Sequence, residues 1–399
     1  MIQTGLVPSA HSDLVTDASY DFYGLRLATC SLDQRIKVWQ LDETNGSWAV
    51  EDDWKAHDAA VSKLSWAHPE FGTIIASASF DRTVKVWEQA ALPVSQGPAV
   101  NGSATANNTN ANASTSRWIE RAVLPEARGT VRAVEFSPHH FGLKIASISS
   151  DNHLRIYECL EQPALTTWQL AEEVDVQALP PSPAAPQIGT PTQTSAVGVS
   201  PDAPLLAQAL QQSVGTPRPG LGNREADGGW CLSWCRDRYW GELLAAGAGT
   251  SGQVKIIQLV PSRRPTTLLT LDPSPIAGAA TTSGTEDGAA VTSVAWAPSC
   301  GRSYHLVATA ARDGHVRIWR LTPTEDDDDG EWTASIVADF DQHRSAVGRV
   351  EWNITGTVLA SAGNDGRVRL WKATAGNVWR PAGSVGVEQA GEGDGDVEM

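Results

Sequence analysis

The chain has 399 residues, 41% hydrophobic and 19% charged, with 46 Asp and Glu against 30 Lys and Arg for a net charge of −16. That length allows two or three average domains or one repeat-built domain. The acidic balance argues against a surface that tracks nucleic acid, and no apolar run of about 18 residues offers a membrane-spanning helix.

The five cysteines (Cys30, Cys159, Cys231, Cys235 and Cys300) form no paired CxxC set, so neither a disulfide framework nor a zinc site is expected. The opening MIQTGLVPSAHSD lacks the basic start and apolar stretch of a secretion signal, which predicts a cytosolic origin. The three Asn-x-Ser/Thr sites between Asn101 and Ser114 are then expected to stay bare. The 16 tryptophans call for a cause.

A repeat supplies it. From the N-terminus, VTDASYD, LATCS and IKVW (36–39) form three short strands, and a fourth, outer strand is read around NGSWAVEDDW (45–54). The second repeat is VSKLSW, IIASAS and VKVW (84–87), followed by an uncharged stretch at 90–116. The third is VRAVEFS, KIASISS and LRIY (154–157), followed at 178–225 by a segment rich in proline. The fourth is WCLSWC, LLAAGAG and VKII (254–257), with a milder insertion at 262–288. The fifth is VTSVAW, LVATAA and VRIW (316–319), followed by an acidic run within 322–331. The sixth is VGRVEW, VLASAG and VRLW (368–371), and NVWRPAGS (377–384) reads as its own outer strand.

Alternation of period two within each piece is the strand signature. Four short strands repeated six times predict an all-β WD-repeat β-propeller of six four-stranded blades over residues 1–385. The insertions at 90–116, 178–225, 262–288 and 322–331 are too polar or broken to bury a core, and disorder is expected there and in the acidic tail 386–399. The acidic runs lack the alternating ligands and glycine of a calcium loop, so solvated loops are the simpler account.

Five blades carry an Asp six residues before the closing aromatic: Asp33 before Trp39, Asp81 before Trp87, Asp151 before Tyr157, Asp313 before Trp319 and Asp365 before Trp371. An Asp there accepts backbone amides across a tight turn. His11, His57 and His343 stand upstream in three repeats. His, Ser or Thr, Asp and Trp at this spacing predict a buried chain of hydrogen bonds within a blade. Its repetition favours structure over catalysis. Repeat four departs, with Gly252 in place of the turn Asp and no closing Trp. Gly247, Gly249 and Gly252 spell GxGxxG, but a strand follows instead of the helix that a phosphate site needs. No cofactor, metal ligand or catalytic constellation is expected.

Several segments are specific beyond this pattern. SWAHPEFGTIIASASFDRTVKVWE (65–88) resembles the second blade shared by the SEH-type WD-repeat nucleoporins of the nuclear pore Y-complex and the WD-repeat subunit of the outer COPII vesicle coat. VEWNITGTVLASAGNDGRVRLWKA (350–373), HHFGLKIASISSDNHLRIYE (139–158) and HSDLVTDASYDFYGLRLATCSLDQRIKVW (11–39) are closer to the nucleoporin. The resemblance covers all six blades.

It implies an open propeller that a helix-rich scaffold nucleoporin completes by inserting strands as a seventh blade. It also implies association with other Y-complex subunits, residence at the nuclear pore and nuclear envelope, a role in mRNA and protein transport, and a second role in a TORC1-regulating complex at the vacuolar or lysosomal membrane. Because the last blade owns its outer strand, blade edges one and six are expected to be free for strand addition. The expected contacts are Leu14, Val15 and Tyr20 on blade one and Val347, Val350 and Trp352 on blade six. The alternatives are a COPII coat subunit and an adaptor that recognises peptides on the propeller face; direct nucleic-acid binding and membrane insertion are not expected. Ser182–Pro183, Thr190–Pro191, Ser200–Pro201 and Thr216–Pro217 are candidate sites for a proline-directed kinase.

Overall fold

The structure is a computed structural model that describes residues 7, 10–91, 116–162, 164–180, 224–260, 263–273, 289–323, 332–374, 376 and 378–386. Its strands form six four-stranded antiparallel sheets, each built from four consecutive strands. Blade one holds β1 (Val15–Tyr20), β2 (Arg26–Ser31), β3 (Arg35–Asp42) and β4 (Ser47–Lys55). Blade two holds β5 (Val61–Trp66), β6 (Ile74–Ser79), β7 (Val84–Ala91) and β8 (Ser116–Leu124). Blade three holds β9 (Val131–Phe136), β10 (Lys144–Ser149), β11 (His153–Cys159) and β12 (Trp168–Asp175). Blade four holds β13 (Gly229–Trp234), β14 (Glu242–Gly249), β15 (Val254–Leu259) and β16 (Thr266–Leu271). Blade five holds β17 (Val291–Trp296), β18 (His305–Ala311), β19 (Val316–Pro323) and β20 (Trp332–Phe340). Blade six holds β21 (Val347–Trp352), β22 (Val358–Gly363), β23 (Arg367–Ala373) and β24 (Trp379–Gly386). The protein is a six-bladed β-propeller.

Each second strand is rich in Ala, Ser, Ile and Leu because both of its faces lie against neighbouring blades; all six residues of β6 are buried. Five apolar clusters fill five seams. One joins blades one and two through Ile36, Val61 and Trp87. The others join two and three, three and four, four and five, and five and six. No cluster among the described residues joins six to one.

The inner strands pack in the same order: β1 on β5, β5 on β9, β9 on β13, β13 on β17 and β17 on β21, with no comparable packing of β21 on β1. The tryptophans serve these seams. Four close a third strand (Trp39, Trp87, Trp319, Trp371) and four end an inner strand (Trp66, Trp234, Trp296, Trp352). Others line outer strands and meet them: Trp54 stacks on Trp118 at 5.5 Å, and Trp379 meets Trp352 edge-on at 5.4 Å.

Two expected insertions begin later than their composition suggested. Residues 266–271 are not disordered but form the outer strand of blade four, because TTLLTL alternates and buries Leu271 in the four–five seam. Ala178 to Pro180 also belong to the fold. Leu179 is buried between blades three and four, the Leu179 carbonyl accepts from Lys255 Nζ at 3.2 Å, and the Pro180 carbonyl accepts from the Thr267 amide at 3.1 Å. At the margins of the other expected insertions, Ala90 and Ala91 pair with Arg117 and Ser116 in the outer hairpin of blade two, Arg224 and Glu225 open a short helix, Thr322 and Pro323 end β19, and Gly386 ends β24. The rest of the expected disorder, the four Ser/Thr-Pro pairs and the rest of the acidic tail lie outside the described residues.

Candidate functional site

Within the blades, the repeated polar residues meet. In blade two, Trp87 Nε1–H donates to Ser77 Oγ at 2.9 Å, Ser77 Oγ pairs with His57 Nε2 at 2.7 Å, and His57 Nδ1 pairs with Asp81 at 2.8 Å. Since a carboxylate only accepts, one tautomer satisfies the chain: the Nδ1–H donates to Asp81 and Nε2 accepts the serine proton. Blade six repeats it with Trp371, Ser361, His343 and Asp365, and blade one with Trp39, Thr29, His11 and Asp33. Blade five keeps Trp319 on Thr309 at 3.0 Å but pairs Asp313 with Arg317.

In blade three the fully buried Arg155 takes over, holding Asp151 at 2.8 Å and Glu173 at 2.8 Å. All five Asp residues accept the amide two positions on, as an Asx turn does. Burial pushes the Asp81 carboxyl up, but hydrogen bonds from His57 and Thr83 outweigh it and hold the group below the usual carboxylate range.

Blade four lacks the Asp, and its turn is one residue longer: six residues separate the paired Gly247 and Val254, against five between Ala78 and Val84. Gly249 and Gly252 take positive φ of 77° and 69°, which glycine adopts without strain. The GxGxxG pattern therefore lies in a strand and its turn.

Burial pushes the Cys30, Cys231 and Cys235 thiols up to about 12, which keeps them protonated and inert. Among the described residues no cluster of His, Cys, Asp and Glu is placed to hold a metal, and no helix is long and apolar enough to cross a membrane.

The sequence reading did not foresee the ties between blades. At the one–two seam, Thr16 Oγ1 donates to the Val61 carbonyl, Asp17 accepts the Leu64 amide at 3.0 Å and Trp66 Nε1–H donates to the Ser19 carbonyl at 2.9 Å. At the two–three seam, Ser62 donates to the Val131 carbonyl at 2.7 Å and Ser65 accepts the Phe136 amide at 3.0 Å. Glu135 accepts the Trp234 amide at 3.2 Å at three–four, and Ser233 accepts the Trp296 amide at 3.0 Å at four–five. At five–six, Thr292 donates to the Val347 carbonyl, Ser293 accepts the Val350 amide at 3.2 Å and Trp352 Nε1–H donates to the Ala295 carbonyl at 3.0 Å. The hydroxyl residues at the second inner-strand position, Thr16, Ser62 and Thr292, were the signal for three of these ties.

The six–one seam is different. Only Arg349 on β21, ion-paired with Asp17 on β1, links its inner strands by a side chain among the described residues. Val15 is 48% exposed, whereas Val61, Val131 and Val347 at the same position are 0% exposed. Leu14 (72%) and Tyr20 (58%) are exposed beside it. These three expected contact residues lie at the free edge.

The three on blade six do not. Val347 and Val350 are buried in the five–six cluster, and Trp352 is turned toward blade five by its bond to Ala295. Side chains alternate along a strand, so the residues that face outward from blade six are instead Arg349 and Glu351 on β21. Val358, Ala360 and Ala362 on β22, and Val368 and Leu370 on β23, are likewise left half-buried or exposed.

The WD domain, G-beta repeat family matches residues 4–40, 50–88, 279–320 and 334–372, which cover blades one, two, five and six. Among solved structures, the chain resembles Chaetomium thermophilum Sqt1 bound to the N-terminus of ribosomal protein L10, with a TM-score of 0.52, 16% identity, and coverage of 94% of this chain and 76% of that one. That likeness concerns the fold. Nucleoporin SEH1 of Saccharomyces cerevisiae is 30% identical over 426 residues, covering 96% of this chain and 99% of the relative. Nucleoporin SEH1-A of Xenopus laevis is 33% identical over 402 residues, covering 98% and 88%. Nucleoporin SEH1 of Homo sapiens is 33% identical over 394 residues, covering 94% and 86%. With 30–33% identity over 94–98% of its length, the chain belongs to the SEH1 family of WD-repeat nucleoporins.

Proposed function

We propose that the protein is a non-enzymatic scaffold subunit of the nuclear pore complex, in its Y-shaped outer-ring assembly at the nuclear envelope, and that it supports mRNA and protein transport there. The observation that carries the reading is the six–one seam. Two blade faces oppose each other with apolar side chains exposed and no cluster between them among the described residues. A helix-rich nucleoporin that inserts strands as a seventh blade would pack between those faces and cover Leu14, Val15, Tyr20, Val368 and Leu370.

Such an interface exceeds roughly 2,000 Å² and is in effect permanent. The relatives' names favour the pore over a vesicle coat. The same edges would serve a partner of the same kind in a TORC1-regulating complex at the vacuolar membrane.

The test is affinity purification of the tagged chain followed by amide exchange on the complex. Copurified nucleoporins and slowed exchange over 14–20 and 347–352 are expected. Copurified coat proteins, or a complex that leaves those edges unprotected, would refute the proposal.

A further inference from the structure

The inter-blade ties form a code, and blade six carries its unfinished half. Pairing with the second strand fixes equivalent positions: Glu351 opposite Ala360 stands where Ser65 stands opposite Ala76, Glu135 opposite Ala146 and Ser233 opposite Ala245. Each of those three side chains accepts the amide of the sixth residue of the next inner strand. Among the described residues no such strand follows Glu351 across the seam. Its side chain is 66% exposed and pairs with Arg349 at 3.4 Å.

That sixth residue is aromatic in all six blades: Tyr20, Trp66, Phe136, Trp234, Trp296 and Trp352. Where it is Trp66, Trp234 or Trp352, its Nε1–H also donates to the carbonyl of the preceding blade's fifth residue.

The other half of the code runs through the second position. Thr16, Ser62 and Thr292 each place one hydroxyl within hydrogen-bond distance of two carbonyls, one of their own second strand and the first of the next inner strand, which share its single proton. Blade six has Gly348 there. A Cβ on Gly348 would meet only the Ala362 carbonyl, at 3.9 Å, which is the counterpart of the Cys30, Ala78 and Ala310 carbonyls. There is room for the missing hydroxyl. On the far side of the seam, no described side chain donates to the Val15 carbonyl, the counterpart of the Val61, Val131 and Val347 carbonyls.

Resting on the strand-completion reading, we propose that Glu351 is the recognition point for the incoming inner strand and accepts the amide of that strand's sixth residue. The strand then belongs to a β-meander with an aromatic residue at that sixth position and Ser or Thr at its second, whose hydroxyl reaches the Val15 carbonyl. The Arg349–Asp17 pair holds the two edges in place until the strand arrives.

The experiment uses the native complex captured through the tagged full-length chain, with amide exchange identifying the protein that protects 14–20 and 347–352. Its dissociation is chased with untagged chain. Glu351→Ala removes a charged acceptor, so dissociation speeds up about tenfold, while the melting temperature of the uncomplexed chain does not move. Glu351→Gln keeps an acceptor oxygen and stays within about threefold of wild type. Gly348→Ser adds the hydroxyl and slows dissociation about threefold. A photo-crosslinker at Leu14 captures a peptide whose sequence carries the hydroxyl and aromatic residues four apart.

Unchanged dissociation in Glu351→Ala with both edges still protected overturns the role of Glu351 alone. A crosslinked strand lacking those residues overturns the strand class. A wild-type complex with no protection at either edge brings down the strand-completion reading and this inference together.

Discussion

Blades two and six are close to copies, yet one is enclosed and the other is not. Both carry the same chain of Trp, Ser, His and Asp, with bonds matching within about 0.3 Å. Their second strands align residue by residue, Ile74 with Val358, Ala76 with Ala360 and Ala78 with Ala362. All three are buried in blade two and half-exposed in blade six. The polar chain is therefore a property of the blade, set by residues within one repeat. Burial of the blade's faces is a property of its neighbours. A blade can be internally complete and still present an apolar face that no described neighbour covers.

This contrast can be broken by charge. Ala76→Glu forces a carboxylate into the closed two-blade seam and should cost about 4 kcal/mol or more, whereas Ala360→Glu should cost under about 1 kcal/mol in the free chain. Urea unfolding of both variants checks this; equal losses would mean that the six–one seam is closed. Internal completeness predicts the opposite symmetry for the tryptophans. Trp87→Ala and Trp371→Ala should both lose about 3–5 kcal/mol, because each ring is buried in a closed seam, one–two for Trp87 and five–six for Trp371. A mild Trp371→Ala variant would show that the open face softens the blade's interior.

Glu135 sharpens the comparison from the closed side. Burial is the dominant influence on its carboxyl, against the charges of Arg236 and Lys63, and the group is pushed up to about 7. The folded state then holds this proton more tightly than the unfolded state, so the carboxyl's contribution weakens as pH rises from about 4.5 to about 7 and is constant beyond. Glu135→Gln does not titrate, and its stability relative to wild type should improve across that window by about 3 kcal/mol. A flat difference would mean that the carboxyl is solvated. The smallest effect expected is for Asp81→Ala and Asp365→Ala, about 1–3 kcal/mol each from turn amides and a histidine left unpaired. Thermal melts of the pair should agree whether or not the face of the blade is covered.

Much of the fold was legible because its determinants are local. Asp33, Asp81, Asp151, Asp313 and Asp365 mark turns whose geometry one side chain dictates, and the closing aromatics stand at a fixed distance from them. The outer strand of blade four escaped notice because TTLLTL carries no aromatic and follows proline, so its composition resembles the linker around it. The residues expected as contacts on blade six face blade five for a different reason. Val347, Val350 and Trp352 are the apolar residues of β21, and apolarity points toward whichever seam is already closed. The outward-facing positions hold Arg349 and Glu351, which read as ordinary surface. Which face of a strand is the free one depends on ring geometry, and no short window of sequence encodes it.

The topology has a consequence for biosynthesis. Every sheet is made of four strands consecutive along the chain, and no described blade borrows a strand from the opposite end. Propellers clasped by a shared terminal strand cannot finish their last sheet until synthesis ends, which places a contact spanning the whole chain late in folding. Here each sheet can form as soon as its fourth strand leaves the ribosome, with all of its hydrogen-bonded partners close in sequence, and each new blade docks on one already made. Short sequence separation favours fast folding, and sequential docking limits the time that any apolar face waits exposed. The exception is the pair of faces at blades six and one, which no described blade covers. Under the proposed strand completion, the folding yield of this chain should depend on how soon the partner is present.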